Sequence, residues 1–303
     1  MNSTEMAGII VPVITPVDDH DRVDEATYRA QLRRLIKAGV HGVFAGGSAG
    51  EGPLLTIQEW ERMAVIAFEE CHEKVHLLGG TMDTSTARIT QRIKVLGQIG
   101  YKNFVVAPTF YVGAKLPSEF LRLFGECKDH SEGMNMIAYN IPSCTGSMIP
   151  SEVMVEMVRR GWINYVKDSS EDMDYFQRLL ADAGPMGLRV FLGTERKAAE
   201  ALLAGAVGLV PTCANYAPGI FLSAYAARGN KEELARLQGP ITALVNNLLL
   251  APRLWLAGMN YAVSTLGIGS GRVVSPLEAL DEEERGRIDL FLRSISSEGV
   301  ATV

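Results

Sequence analysis

Several protein classes carry sequence features that this chain lacks or has little of. Its 303 residues include only four cysteines, Cys71, Cys127, Cys144 and Cys213, and no Cys-x-x-Cys pair. That spacing gives neither a thiolate metal cluster nor a redox motif, and a chain of this length needs no disulfide framework. Aromatic residues make up 7% and charged residues 21%, with 29 Lys+Arg against 35 Asp+Glu and no basic run. A net charge of −6 without a basic stripe argues against a nucleic-acid partner, and dilute charge among 47% hydrophobic residues argues against disorder. The start, Met1 to Met6, has no basic region followed by an apolar stretch, so no secretory leader is expected.

Long apolar helices are also missing. The one uncharged window, Ala201–Ala227, is interrupted by Pro211 and Pro218. A membrane span needs about 20 residues of unbroken helix. The expectation is a soluble, cytoplasmic protein with no membrane partner.

Short β-rich runs alternate with amphipathic helical stretches up to residue 230. Strands are predicted at Gly8–Thr15, Gly42–Gly46, His76–Thr81, Asn103–Ala107, Asn135–Tyr139, Ile163–Lys167, Arg189–Leu192 and Gly208–Pro211. Most are continuous apolar runs, as in parallel strands covered on both faces. A helix is predicted over Ala26–Ala38, where Leu32, Leu35 and Ile36 recur at helical spacing. Thr56-x-x-Glu59 has the form of a capping box opening the next helix, and Pro150-Ser151 opens another. Ala38-Gly39, Ile99-Gly100 and Ala204-Gly205 each place a glycine stop between a helix and a strand.

Eight βα units fit a closed (β/α)8 barrel or an open doubly wound sheet. No Gly-x-Gly-x-x-Gly follows the first strand, and Gly267–Gly271 follows a helix, so it reads as a loop. The expected architecture is a (β/α)8 TIM barrel over residues 1–230. A helical extension over 231–303 follows, with helices at Lys231–Leu266 and Pro276–Ile295.

In such a barrel the chemistry sits at the C-terminal ends of the strands. The second strand ends in Gly46-Gly47-Ser48-Ala49-Gly50-Glu51-Gly52. Its glycines let backbone N–H groups approach an anion, with the next helix N-terminus adding favourable potential. It lacks the Lys-Ser/Thr pair of a nucleotide P-loop, so a carboxylate suits it as well as a phosphate. The fifth strand ends in Tyr139-Asn140-Ile141-Pro142-Ser143-Cys144-Thr145-Gly146. Tyr139 there is either core or a proton shuttle.

The sixth strand ends in Lys167-Asp168-Ser169-Ser170. Lys37, Lys74, Lys94, Lys128, Lys197 and Lys231 sit on polar helix faces or in loops, whereas Lys167 terminates an apolar strand. A lysine in that position either caps the barrel through a salt bridge or presents a desolvated amine. Desolvation disfavours an ammonium, leaving an amine able to attack a carbonyl. On residue type alone both readings stand. His72-x-x-x-His76 has helical metal spacing, but His76 should lie on a strand and no third ligand is evident, so no metal is expected.

Together these motifs resemble the dihydrodipicolinate synthase / N-acetylneuraminate lyase family of class I aldolases and lyases, over nearly the whole chain. Gly47-Ser48-Ala49-Gly50-Glu51, Tyr139-Asn140-x-Pro142-x-x-Thr145-Gly146 and Lys167-Asp168-Ser169 carry the resemblance, in the right order. It implies a cofactor-free lyase whose Lys167 forms a Schiff base with pyruvate or another 2-oxo acid. It further implies that Tyr139 moves protons at the substrate and that Ser48 links it to a second tyrosine, here Tyr111, from a neighbouring subunit. A homotetramer or homodimer is thus implied. The amides at Ser48 and Ala49, beside Gly47, would hold the carboxylate, and Val210 would offer its carbonyl on the lysine side.

Two departures bear on the substrate. Synthases that condense pyruvate with aspartate semialdehyde carry an arginine where Cys144 stands, and a neutral thiol cannot hold a carboxylate bidentately. The Gly-x-Asp-Glu pattern of sialic-acid lyases is replaced by Gly193-Thr194-Glu195-Arg196. Glu195, Arg196 and Thr212, with Gly193 beside them, are candidate contacts for a hydroxylated or acidic substrate tail, and Arg196 has a structural reading as well, as the start of the following helix. The expected activity is cleavage or formation of a C–C bond in a 2-keto-3-deoxy sugar acid or similar substrate. Alternatives are a dehydratase or deaminase working through the same imine, 4-hydroxy-tetrahydrodipicolinate synthase, and a 2-oxo-acid-binding barrel without turnover.

Overall fold

The computed structural model describes residues 5–297; the leader expectation for Met1–Met6 lies mostly outside them. Eight parallel strands close into a barrel in sequence order, β1 pairing with both β2 and β8. They are β1 Gly8–Pro12, β2 Gly42–Ala45, β3 His76–Gly80, β4 Asn103–Val106, β5 Asn135–Asn140, β6 Ile163–Asp168, β7 Arg189–Leu192 and β8 Gly208–Leu209. Helices α1 Glu25–Lys37, α2 Ile57–Cys71, α3 Thr86–Ile99, α4 Pro117–Asp129, the short α5 Pro142–Thr145, α6 Ser151–Arg159, α7 Met173–Asp182, α8 Ala198–Ala204 and α9 Pro218–Ala226 alternate with them.

The pleat divides the core in two. Ile9, Val11, Val43, Phe104, Val106, Ala138, Val166 and Val190 face the helices and join one large cluster. Ile10, Phe44, Leu78, Val105, Ile137, Tyr139 and Phe191 fill the barrel interior as a second. With burial on both faces each strand reads as an unbroken apolar run. Close packing inside leaves no space for a side chain at Gly208, whose Cβ would lie 2.0 Å from the Gly8 carbonyl oxygen.

Some predicted boundaries move, for identifiable reasons. The first strand leaves the sheet after Pro12 rather than at Thr15, because the Ile14 N–H donates to Asn215 Oδ1 instead of a neighbouring strand. The eighth stops at Leu209 because Pro211 has no N–H to continue a ladder. The capping box at Thr56 is half made. Thr56 Oγ1 accepts the Glu59 N–H at 3.3 Å, while the Glu59 carboxylate accepts the Val23 N–H at 2.7 Å instead of reaching back. His72 ends α2 and stacks on Phe68, with ring centroids 4.5 Å apart, and His76 opens β3.

The helical region expected over Lys231–Leu266 is three pieces. These are α10 Lys231–Val245, a π-helical turn Asn246–Leu250 continuous with it, and α11 Trp255–Ser264, which meets the first two at 111°. Among the described residues no single helix is long and apolar enough to cross a membrane. The last helix, α12 Glu282–Ser297, starts six residues after the expected Pro276. Its start is set by Asp281, which accepts the Glu284 N–H at 2.8 Å while Glu284 accepts the Asp281 N–H at 3.2 Å. Gly267–Gly271 is a loop, with Gly267, Gly269 and Gly271 all at positive φ.

Candidate active site

Strand parity places the two chemically distinctive residues together. Tyr139 and Lys167 are register partners on β5 and β6, and both point inward near the C-terminal ends of their strands. Lys167 Nζ lies 4.1 Å from the centroid of the Tyr139 ring and 5.3 Å from that of Phe44. Lys167 is 7% exposed and takes part in no ion pair among the described residues. The salt-bridge reading of this lysine is therefore not the one the structure adopts. The amine sits in an aromatic cradle at the floor of a cavity of about 230 Å³.

Nine of the residues singled out from sequence line that cavity: Ser48, Ala49, Tyr139, Cys144, Lys167, Gly193, Glu195, Arg196 and Thr212. Three do not. Gly47 packs against Phe44, where a Cβ would lie 2.8 Å from the ring. Val210 belongs to the barrel interior. Tyr111 is 95% exposed at φ +72°, outside the cavity of its own chain.

The loop after β2 offers bare amides. Glu51 N–H donates to the Ser48 carbonyl at 3.1 Å and Gly52 N–H to that of Gly47 at 3.2 Å. The N–H groups of Ser48 and Ala49 have no partner among the described residues. Two unpaired donors at a cavity wall are suited to a carboxylate. The helix N-terminus expected to help is not there: α2 begins at Ile57, five residues past Gly52, and Thr56 caps it.

Around the amine the polar groups are fixed. Asp168 accepts from Asn140 Nδ2 and Ser170 Oγ, both at 2.9 Å, and its carbonyl accepts the Gly193 N–H at 2.7 Å. Burial pushes the Asp168 carboxyl up to about 6, against these hydrogen bonds. A Cβ at Gly193 would lie 2.0 Å from Ser169 Oγ and 2.9 Å from Lys167 Cε, so both side chains would have to shift. Glu195 opens a single 3-10 turn before α8, and its Oε1 accepts the Cys213 N–H at 2.9 Å. Burial raises its carboxyl above the usual range; N–H groups of Cys213, Glu195 itself and Thr212, and the charge of Lys167, oppose that rise.

The sequence points to none of Val245, Leu249, Leu250, Trp255 and Glu171 as part of the site. Val245, Leu249, Leu250 and Trp255 form an apolar wall contributed by the extension, and Glu171 and Arg196 pair at 3.1 Å beside it. Glu51, 1% exposed at φ +53°, joins the amide loop to the extension. Its Oε2 accepts the Val274 N–H at 2.8 Å and its Oε1 faces Asn260 Nδ2 at 3.4 Å. Burial pushes Glu51 from 4.5 to about 7, despite those donors.

That rise has a consequence for stability. Between pH 4.5 and about 7 the native chain keeps a proton on Glu51 that the unfolded chain has released. Stability therefore falls as pH rises through this window, by on the order of 3 kcal/mol for this group. The E51Q variant keeps an acceptor for Val274 and cannot ionise. Melting temperatures from pH 5 to 8 should show wild type losing several degrees relative to E51Q. A constant offset between the two would refute the buried-acid account.

The Dihydrodipicolinate synthetase family model matches residues 5–294. A DapA-like lyase of Halobacterium salinarum is 29% identical over 292 residues, 95% of this chain and 93% of that protein. A 4-hydroxy-tetrahydrodipicolinate synthase of Methanoculleus marisnigri is 28% identical over 287 residues, 91% of this chain and 94% of that one. The dihydrodipicolinate synthase structure from Bacteroides thetaiotaomicron superposes with a TM-score of 0.90 at 26% identity, covering 97% of this chain and all of that one. An eight-stranded barrel with a buried lysine and a tyrosine at matching strand ends, matched to one family along its length, has one assignment: the chain belongs to the dihydrodipicolinate synthetase family and is a lyase of the aldolase type.

Proposed function

We propose that the enzyme works through an imine between Lys167 and the C2 carbonyl of pyruvate or another 2-oxo acid, making or breaking the bond between C3 and C4. The observation that carries this reading is the Lys167 amine, held 4.1 Å from the Tyr139 ring with no ion pair among the described residues, and facing a cavity with two amides that are unpaired among those residues. Nζ attacks C2 and water leaves. The protonated imine then accepts the electron pair of the cleaved C3–C4 bond, and an aldehyde departs. The Ser48 and Ala49 amides hold C1, and Tyr139 moves the protons, with Ser48 carrying them onward to the partner subunit's Tyr111. Tyr111 is exposed in its own chain, which suits a homodimer or homotetramer that completes the site. Residues 1–230 form the catalytic barrel and 231–303 the extension. The substrate skeleton is a 2-oxo-3-deoxy-4-hydroxy acid, the class to which 2-keto-3-deoxy sugar acids belong.

Condensation of pyruvate with aspartate semialdehyde is the second reading, favoured by the Methanoculleus relative and opposed by Cys144 in the cavity, which has no guanidinium to hold a second carboxylate. Borohydride added with pyruvate should attach one reduced pyruvate to the chain, and peptide mapping should place it on Lys167. An unmodified Lys167 overturns the imine.

A further inference from the structure

With C1 on the amide loop after β2 and C2 on Lys167, the rest of a substrate must extend toward the mouth. The mouth has two kinds of wall, with the hydroxyls of Ser143, Ser169, Thr194 and Thr212 also in the cavity lining. One is apolar and comes from one short stretch of the extension: the end of α10, the π-helical turn and Trp255 at the head of α11. A π-turn is costly in regular helix and concentrates at functional sites. Here it brings Leu249 and Leu250 to the cavity, and Leu250 remains 56% exposed.

The other wall carries the charge, and its sum is informative. The positive imine is matched by the substrate's own C1 carboxylate. Arg196 is then the remaining cation among this chain's residues that line the cavity, and it is paired with Glu171 at 3.1 Å. Glu195 adds a buried carboxyl held by backbone N–H groups. A second substrate carboxylate would meet a mouth of zero or negative net charge, with no free guanidinium to bind it.

From this lining we infer that the enzyme is specific for 2-oxo acids whose portion beyond C4 is uncharged and presents an alkyl or aryl face to Trp255, Leu249 and Leu250. This specificity rests on the imine reading. Each methylene that a substrate buries in such an apolar pocket changes selectivity by about tenfold or more.

Imine trapping reads it without knowing the natural substrate. Wild type is titrated with pyruvate, 4-methyl-2-oxopentanoate, 2-oxoglutarate and 2-keto-3-deoxygluconate under borohydride, and the adduct is measured by intact mass. The alkyl acid should reach half-trapping at a concentration about tenfold below the dicarboxylate and the polyol acid. Both Trp255→Ala and Leu250→Ser should shrink that ratio to within about threefold; Leu250 is exposed enough that its variant should fold. Equal or better trapping of 2-oxoglutarate or 2-keto-3-deoxygluconate overturns the apolar tail, as does pyruvate trapping with no alkyl adduct. A ratio unchanged in both variants overturns the role of the wall. If pyruvate itself fails to trap, the imine falls and the specificity with it.

Discussion

The Lys167→Ala variant should exchange the methyl protons of pyruvate with D2O no faster than buffer. This is a loss of about 10⁴-fold or more, as expected when a covalent nucleophile is removed. Exchange followed by NMR suits this site because it needs only imine and enamine formation. Lys167→Arg should be equally inactive, since a guanidinium keeps the charge but stays protonated and cannot attack C2. Charge alone therefore cannot rescue the reaction, which separates a nucleophile from an electrostatic anchor. Both variants should fold: Lys167 makes no ion pair among the described residues, and the buried Glu195 carboxyl, which feels its charge, keeps the Cys213 N–H as donor. A binding barrel without turnover makes the opposite forecast. In that case Lys167→Ala would bind pyruvate nearly as well as wild type, and wild type would show no exchange.

The proposed nucleophile is legible in the sequence because it breaks a pattern. Polar residues at the ends of buried parallel strands are few, and Lys167 and Tyr139 both stand there with inward parity. The amide loop after β2 is legible for the same reason, as a glycine cluster after an apolar strand. Phe44 is not: an aromatic on a buried strand is ordinary core, and only the folded barrel brings its ring to 5.3 Å from the amine. Glu51 stands inside a recognisable motif, yet its partner Val274 is 223 residues away and no local spacing joins them.

The extension shows the limit more sharply. Its apolar periodicity announces helices, but whether an apolar face covers a barrel, a partner or a substrate depends on where the chain bends. Pro252 is a visible breaker within the four residues between the π-turn and α11, and it separates the two helical bodies. The angle of 111° that brings Trp255 to the cavity is set by packing. The strand-built end of the cavity is accordingly more legible in the sequence than the end built by the extension.

Removing one hydroxyl should separate proton transfer from imine formation. In Tyr139→Phe the ring that packs 4.1 Å from Lys167 Nζ and edge-on to Phe44 remains, so the amine keeps its cradle. The Tyr139 hydroxyl takes no hydrogen bond among the described residues and its side chain lines the cavity, so its loss should leave no buried group unpaired. Melting temperature should therefore change little. Borohydride should still attach pyruvate at Lys167, because nucleophilic attack uses the amine. Exchange of the C3 protons should fall by about 10²- to 10³-fold, within the range for a positioned acid–base group. A purely structural tyrosine would give the reverse pattern, with a lower melting temperature and exchange within about fivefold of wild type once corrected for folded enzyme. Loss of trapping and exchange together in a folded variant would place the hydroxyl in imine formation itself, contradicting the division of labour between Lys167 and Tyr139.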